Sequence, residues 1–233
     1  MKVAFWGLFV GLALCLGLFF GLDPKAQQAA DDGLTGVFRP PAVPIRPPMA
    51  PGAKWAGKIN LEGPITSQAA MRFMMQLDAF DRAGMDLIFV EIDSPGGSVW
   101  AGFQISKAIE RADTKIVCIV DGGALSMGAY ILESCPVRIM TKRSRVMFHN
   151  PKSGPGDDMQ GYRDIWNNLM GLRSLSEAML EHYWPRTKLT KDEFGQHLAD
   201  GKDWWVLWSE ALKLGIVDAV YRTSKEAIQH YGS

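Results

Sequence analysis

The chain has 233 residues, 47% of them apolar, with 25 basic and 25 acidic side chains and a formal net charge of zero. That length supports one catalytic-sized α/β domain once an unusual N-terminus is set aside, and the charge balance excludes a polyanion footprint, so nucleic acid is not an expected partner. The three cysteines, Cys15, Cys118 and Cys135, fit neither a disulfide framework nor a zinc spacing. Cys118 and Cys135 read as small buried residues; a bridge between them is open to a domain in an oxidising compartment.

Residues 1–25 are expected to form a transmembrane anchor or a signal peptide. Val3 to Leu22 is a run of twenty residues without a charge, preceded by Lys2 and followed by Asp23, Pro24 and Lys25. The run matches a spanning helix in length, while the small residues of Ala26 to Ala30 supply a cleavage site for the signal reading. A buried core helix is the competing reading, set aside because the run is apolar on every face and is followed by a stretch that could not pack around it. Residues 26–52 form a linker in which the prolines from Arg39 to Pro51 block helix and ladder hydrogen bonds and favour an extended, stiff spacer. This arrangement predicts a domain held on the extracytoplasmic, periplasmic side of a membrane.

The domain, 53–233, starts with a strand at Trp55 to Leu61 and a helix at Thr66 to Ala79, whose Ala70, Phe73, Met74 and Leu77 share a face. A strand at Asp86 to Ile92, a Gly96-Gly97 turn, a helix at Val99 to Arg111 and a strand at Lys115 to Val120 follow. Next come a helix at Leu125 to Glu133, strands at Val137 to Met140 and Val146 to Phe148, and a helix from about Asp158 to Tyr183. Strands alternating with helices imply right-handed crossovers and a largely parallel sheet.

Three segments carry chemistry. In Ile92-Asp-Ser-Pro-Gly-Gly-Ser98 a strand enters a Gly-Gly turn and then a helix, so backbone N–H groups can approach a ligand closely. In Asp121-Gly-Gly-Ala-Leu-Ser126-Met127 a serine stands at a strand-to-helix corner, where the next N–H points to a developing oxyanion; the plainer role for Ser126 is a helix cap. In Arg145-Val-Met-Phe-His149-Asn-Pro151 a histidine leaves a strand end 23 residues after Ser126, placed to be the base a serine hydroxyl needs. His182, His197 and His230 sit in helical or terminal contexts without such a motif.

In this order and at these spacings, Ser94-Pro-Gly-Gly97, Ser126-Met-Gly-Ala129 and His149-Asn-Pro151 resemble the S-P-G-G, S-M-G-A and H-Q-P segments of the Clp protease proteolytic subunit and its ClpP-class relatives. The likeness extends to Lys202-Asp203-Trp-Trp-Val-Leu-Trp-Ser-Glu-Ala211 and the closing Leu214-Gly-Ile-Val-Asp218. It implies an α/β fold of the ClpP/crotonase type, a repeated β-β-α superhelix with a largely parallel sheet. It also implies a serine endopeptidase cutting peptides or unfolded proteins without metal or other cofactor. Carried over by position, Ser126 is the nucleophile, His149 the general base, Asp203 the orienting carboxylate, and the N–H groups of Gly97 and Met127 the oxyanion hole. Asp192, Asp200 and Asp218 lie near Asp203 in sequence; Asp203 is chosen for the apolar stretch that follows it.

The resemblance further implies a ring-type homo-oligomer and an AAA+ unfoldase partner. The apolar run and proline-rich stretch replace the family's axial N-terminal region, which argues against the unfoldase. Asn150 stands where Gln is usual, and Lys152 to Asp158 is an insertion. A Ser–Lys dyad like that of signal peptide peptidase A would use Lys142 or Lys152; an enoyl-CoA hydratase would lack the serine corner and its histidine. A catalytically silent, membrane-linked scaffold is the reading from another class, and it would be marked by loss of Ser, His or Asp.

Overall fold

Central strands buried on both faces organise the architecture. The computed structural model describes residue 44, residues 54–152 and residues 162–233. The expected anchor at 1–25, nearly all of the linker at 26–52 and most of the insertion after Lys152 lie outside the described residues. Among the described residues no helix is long and apolar enough to cross a membrane.

The chain alternates β1 (Ala56–Glu62), α1 (Ser67–Ala83), β2 (Leu87–Ser94), α2 (Val99–Arg111), β3 (Ile116–Leu125), α3 (Met127–Glu133) and β4 (Val137–Thr141). β5 (Arg145–Phe148), α4 (Tyr162–Tyr183), α5 (Lys191–His197), β6 (Trp204–Leu207), α6 (Trp208–Leu214), β7 (Ala219–Tyr221) and α7 (Ser224–Gly232) complete it. β1, β2, β3, β4 and β7 pair in that spatial order, all parallel, as helical crossovers require. β1 alternates buried Ile59 and Leu61 with exposed neighbours, whereas β2 and the first half of β3 are buried almost without interruption. Ile88, Val90 and Ile92 pack towards α1, α2 and α3; Phe89, Val117 and Ile119 face α7 through Ala227, Ile228 and Tyr231.

Caps fix the helix starts that the sequence marks. Thr66 Oγ1 accepts from the Ala69 N–H, and Ser98 Oγ from the Ala101 N–H, each satisfying an orphan donor of the first turn. α1 runs four residues past its expected end and closes on Gly84 in the left-handed region, φ 68°.

β3 differs most from expectation, continuing beyond Val120 to Leu125. Its first half pairs with β2 and β4, and its last residues, Gly123 to Leu125, pair with β5. The change of partner occurs at Gly122, φ 124°, where a β-carbon would lie 2.3 Å from Asp93 Oδ1. Asp93 Oδ1 in turn accepts the Gly123 N–H at 2.9 Å, pinning the bend. β5 also pairs antiparallel with β6, a strand that the short apolar run Trp204 to Leu207 does not announce by alternation. The sheet is therefore mostly rather than wholly parallel.

Cys118 and Cys135 are not separate buried thiols: they form a disulfide with Cα atoms 6.0 Å apart. Cys118 lies mid-strand in β3 and Cys135 follows α3, so the crossover itself returns one beside the other.

Candidate active site

The strand-to-helix corner after β3 determines what Ser126 can do. Ser126 has φ 54° and ψ −118°, an unfavourable backbone for a non-glycine residue, and its side chain makes no capping hydrogen bond. The capping role is thus unfilled, and Oγ points elsewhere. The Ser126 N–H donates to the Met147 carbonyl at 2.8 Å, which locks the corner to β5. β5 ends one residue before His149, and His149 Nε2 lies 2.8 Å from Ser126 Oγ. His149 Nδ1 lies 2.6 Å from the Asn150 carbonyl oxygen. A carbonyl only accepts, so Nδ1 carries the proton and Nε2 is left to accept the Ser126 hydroxyl proton. That is the tautomer a general base requires.

Asn150 performs a second task, donating from Nδ2 to the Leu198 carbonyl at 2.9 Å and tying the loop to the end of α5. Behind the histidine, Phe148 meets Tyr183, Phe194 and Trp204 with ring centroids 5.0, 5.2 and 5.4 Å away. Phe148 and Trp204 face each other across the β5–β6 ladder and point into this aromatic core. β5 ends at Phe148 and β6 begins at Trp204, so His149 and Asp203 flank the last rung of the ladder.

Asp203 does not hydrogen-bond to His149. Its Oδ1 accepts from Lys152 Nζ at 3.1 Å, a partly exposed pair. The ladder nonetheless runs Arg145↔Leu207, Val146↔Val206, Met147↔Trp205, Phe148↔Trp204, so the next rung would set His149 opposite Asp203. The other nearby carboxylates are engaged or remote from the ladder. Asp218 receives the Arg138 N–H and guanidinium; burial works to raise its carboxyl, but the bonds from Arg138 outweigh that and hold it below the usual range. Asp200 pairs with Lys202 at 3.6 Å, and Asp192 lies in the first turn of α5.

Gly96 and Gly97 form the wall facing Ser126. A β-carbon on Gly96 would stand 2.7 Å from Ser126 Cβ, so the turn touches the corner. Gly97 pairs with Ile65 through the Gly96 carbonyl and the Ser98 N–H, which turns its own N–H to the other side. Among the described residues neither the Gly97 nor the Met127 N–H has an acceptor. Both remain available to a developing negative charge.

The lysines of the rival dyad are committed elsewhere: Lys152 to Asp203, and Lys142 over the Trp208 ring at 5.2 Å. His182 is stacked on Tyr130 at 3.9 Å, and burial holds its imidazole below the usual range despite the Tyr130 carbonyl. His197 is stacked on Trp204 at 3.9 Å. Among the described residues no group of three or more His, Cys, Asp or Glu side chains is arranged to hold a metal ion. Sequence reasoning missed Asp93, the main-chain role of Asn150 and the Lys152–Asp203 pair. Asp93 had a local signal, its place before the Gly-Gly turn; the other two arise only when β6 folds back on β5.

Residues 54–224 match the family described as Clp protease, which defines the class. The chain belongs to the Clp protease family. Among its relatives is the ATP-dependent Clp protease proteolytic subunit 1 of Chlamydia trachomatis, 27% identical over 168 residues, covering 70% of this chain and 85% of that one. The subunit of the same name from Chlamydia pneumoniae is 28% identical over 171 residues, covering 71% and 86%. A ClpP1 mutant structure from Listeria monocytogenes superposes with a TM-score of 0.65 over 72% of this chain and 92% of that chain, at 20% identity, which shows the shared fold.

Proposed function

We propose that the chain is a serine endopeptidase that hydrolyses peptide bonds in peptides or unfolded proteins through an acyl-enzyme on Ser126. The observation that carries this reading is the 2.8 Å contact between Ser126 Oγ and a His149 Nε2 already in the accepting tautomer. Ser126 Oγ attacks the scissile carbonyl as its proton passes to Nε2, and the N–H groups of Gly97 and Met127 receive the oxyanion. His149 then returns the proton to the leaving amine, and water, deprotonated by the same nitrogen, releases the acid. Asp203, which the β5–β6 register carried one pair further would set opposite His149, is the third member, orienting the imidazole and stabilising imidazolium once it accepts from Nδ1.

Cleavage of unstructured casein and of fluorogenic peptides tests the activity. Wild-type protein should cut both and Ser126→Ala neither; equal cutting by the variant refutes the assignment of Ser126.

The same reading places the domain outside the cytoplasm, tethered or exported by residues 1–25, as a homo-oligomer. A buried disulfide is a feature of oxidising compartments, and Cys118–Cys135 supports that location. Added protease should digest the domain in intact spheroplasts; protection until the inner membrane is broken would overturn the topology.

A further inference from the structure

One contact at the site excludes the triad and a second competes with it: the single Nδ1 proton of His149 is given to the Asn150 carbonyl, and Lys152 draws Asp203 Oδ1 to itself. Residues opposed on antiparallel strands hold their Cβ atoms about 4.5–5.5 Å apart, and the β5–β6 register carried one step past its last pair, Phe148↔Trp204, would set Asp203 opposite His149. Asp203 instead turns to Lys152, three residues past His149, and His149 Nδ1 donates to the Asn150 carbonyl. Asn150 is anchored on the Leu198 carbonyl, and Lys152, two residues further on, places Nζ on Asp203. Lys202, the other nearby cation, is occupied by Asp200, so Lys152 alone makes the competing contact with Asp203 among the described residues.

We propose that Lys152 is a positioning residue that competes with His149 for Asp203, so that the enzyme rests with its imidazole held by a main-chain carbonyl and gains its third member when Lys152 lets go. This rests on the serine-hydrolase reading above. The pair is open to water, its side chains 62% and 38% exposed, and an ion pair in that setting is weak and screened by salt. The two arrangements therefore lie close in free energy, and a modest change at Lys152 shifts the balance. Pairs of this exposure correspond to roughly two- to five-fold in an equilibrium, which sets the size of the effect.

The test is the second-order rate of fluorophosphonate labelling of the full chain at low ionic strength. Lys152→Met should label about two- to five-fold faster than wild type, and Lys152→Arg, which keeps the ion pair, at the wild-type rate. In an Asp203→Asn background Lys152→Met should have no effect, a dependence that loss of a merely structural lysine would not show. Raising salt to about 0.5 M should bring wild type towards the Lys152→Met rate. Ser126-dependent labelling that Lys152→Met leaves unchanged or slows overturns the latch alone. An acceleration that persists in the Asp203→Asn background also overturns it. Absence of Ser126-dependent labelling from wild type and variant alike overturns the hydrolase reading and the latch with it.

Discussion

Ser126 is held in a backbone conformation that a serine adopts only when its surroundings require it, between the Met147 carbonyl on one side and the Gly96-Gly97 turn on the other. Strain of this kind costs about 1–3 kcal/mol and is retained where it aims a side chain. The aim is at His149, whose tautomer is set by the carbonyl of its own neighbour. That has a consequence for Asp203. Where a triad carboxylate alone fixes the tautomer, changing it to the amide costs about 10⁴-fold in turnover. Here the Asn150 carbonyl already holds the Nδ1 proton, so Asp203→Asn should lower peptidase kcat by clearly less than about 10⁴-fold, the imidazolium contribution being lost and the tautomer kept. His149→Gln removes the base and should fall with Ser126→Ala to the background set by binding and the oxyanion hole. Steady-state kinetics of the three variants checks the ranking.

At the scale of elements, the site depends on the bend in β3. Asp93 and Gly122 make that bend together: the carboxylate occupies the space a side chain at 122 would need. Gly122→Ala meets both a positive φ and a clash, and should destabilise the domain by about 2 kcal/mol or more and slow Ser126 labelling, read by urea melts and probe kinetics. Ser126 and His149 were legible in the sequence because each sits at a strand end whose signal is local: an apolar run, a glycine turn, then a helix or a proline. Asp203 is singled out only by likeness, because Trp204 to Leu207 are all apolar and show no period of two. The pairing of β6 with β5, which brings Asp203 to the His149 end of the ladder, is a tertiary event, and so is the reach of Lys152 across 51 positions of sequence. β3 runs five residues past its expected end because its glycines, which resemble a turn, carry the strand from one partner to another.

Two long-range devices bind the whole domain around the corner. The disulfide closes a segment of 17 residues containing Ser126, and a loop of that size restricts the unfolded chain by about 3 kcal/mol. Reduction, or the double change of Cys118 and Cys135 to Ala, should lower the urea midpoint accordingly while leaving the Ser126–His149 contact in place; an unchanged midpoint would remove the disulfide from the account. Behind α3, Arg138 joins Glu133 and Asp218 and donates to the Arg186 carbonyl, while Arg186 donates to the Cys135 carbonyl. Burial pushes the Glu133 carboxyl up to about 8, against the opposing pull of Arg138. Because this folded-state value lies above the unfolded one, near 4.5, the stability it confers is present at acid pH and is lost as pH rises towards 8. Melting curves between pH 5 and 8 should therefore fall for wild type and flatten for Glu133→Gln; parallel curves would contradict the assignment.

The central claim is that Ser126 is a nucleophile activated by His149, and the direct measurement is the intact mass of the protein after exposure to a fluorophosphonate. In that reaction the Ser126 Oγ–phosphorus bond forms as fluoride leaves, and His149 takes the hydroxyl proton. One phosphonyl group per chain is expected, located on Ser126 by peptide mapping, absent from Ser126→Ala and strongly slowed in His149→Gln. A native protein that remains unmodified, or one modified at another residue, would contradict it.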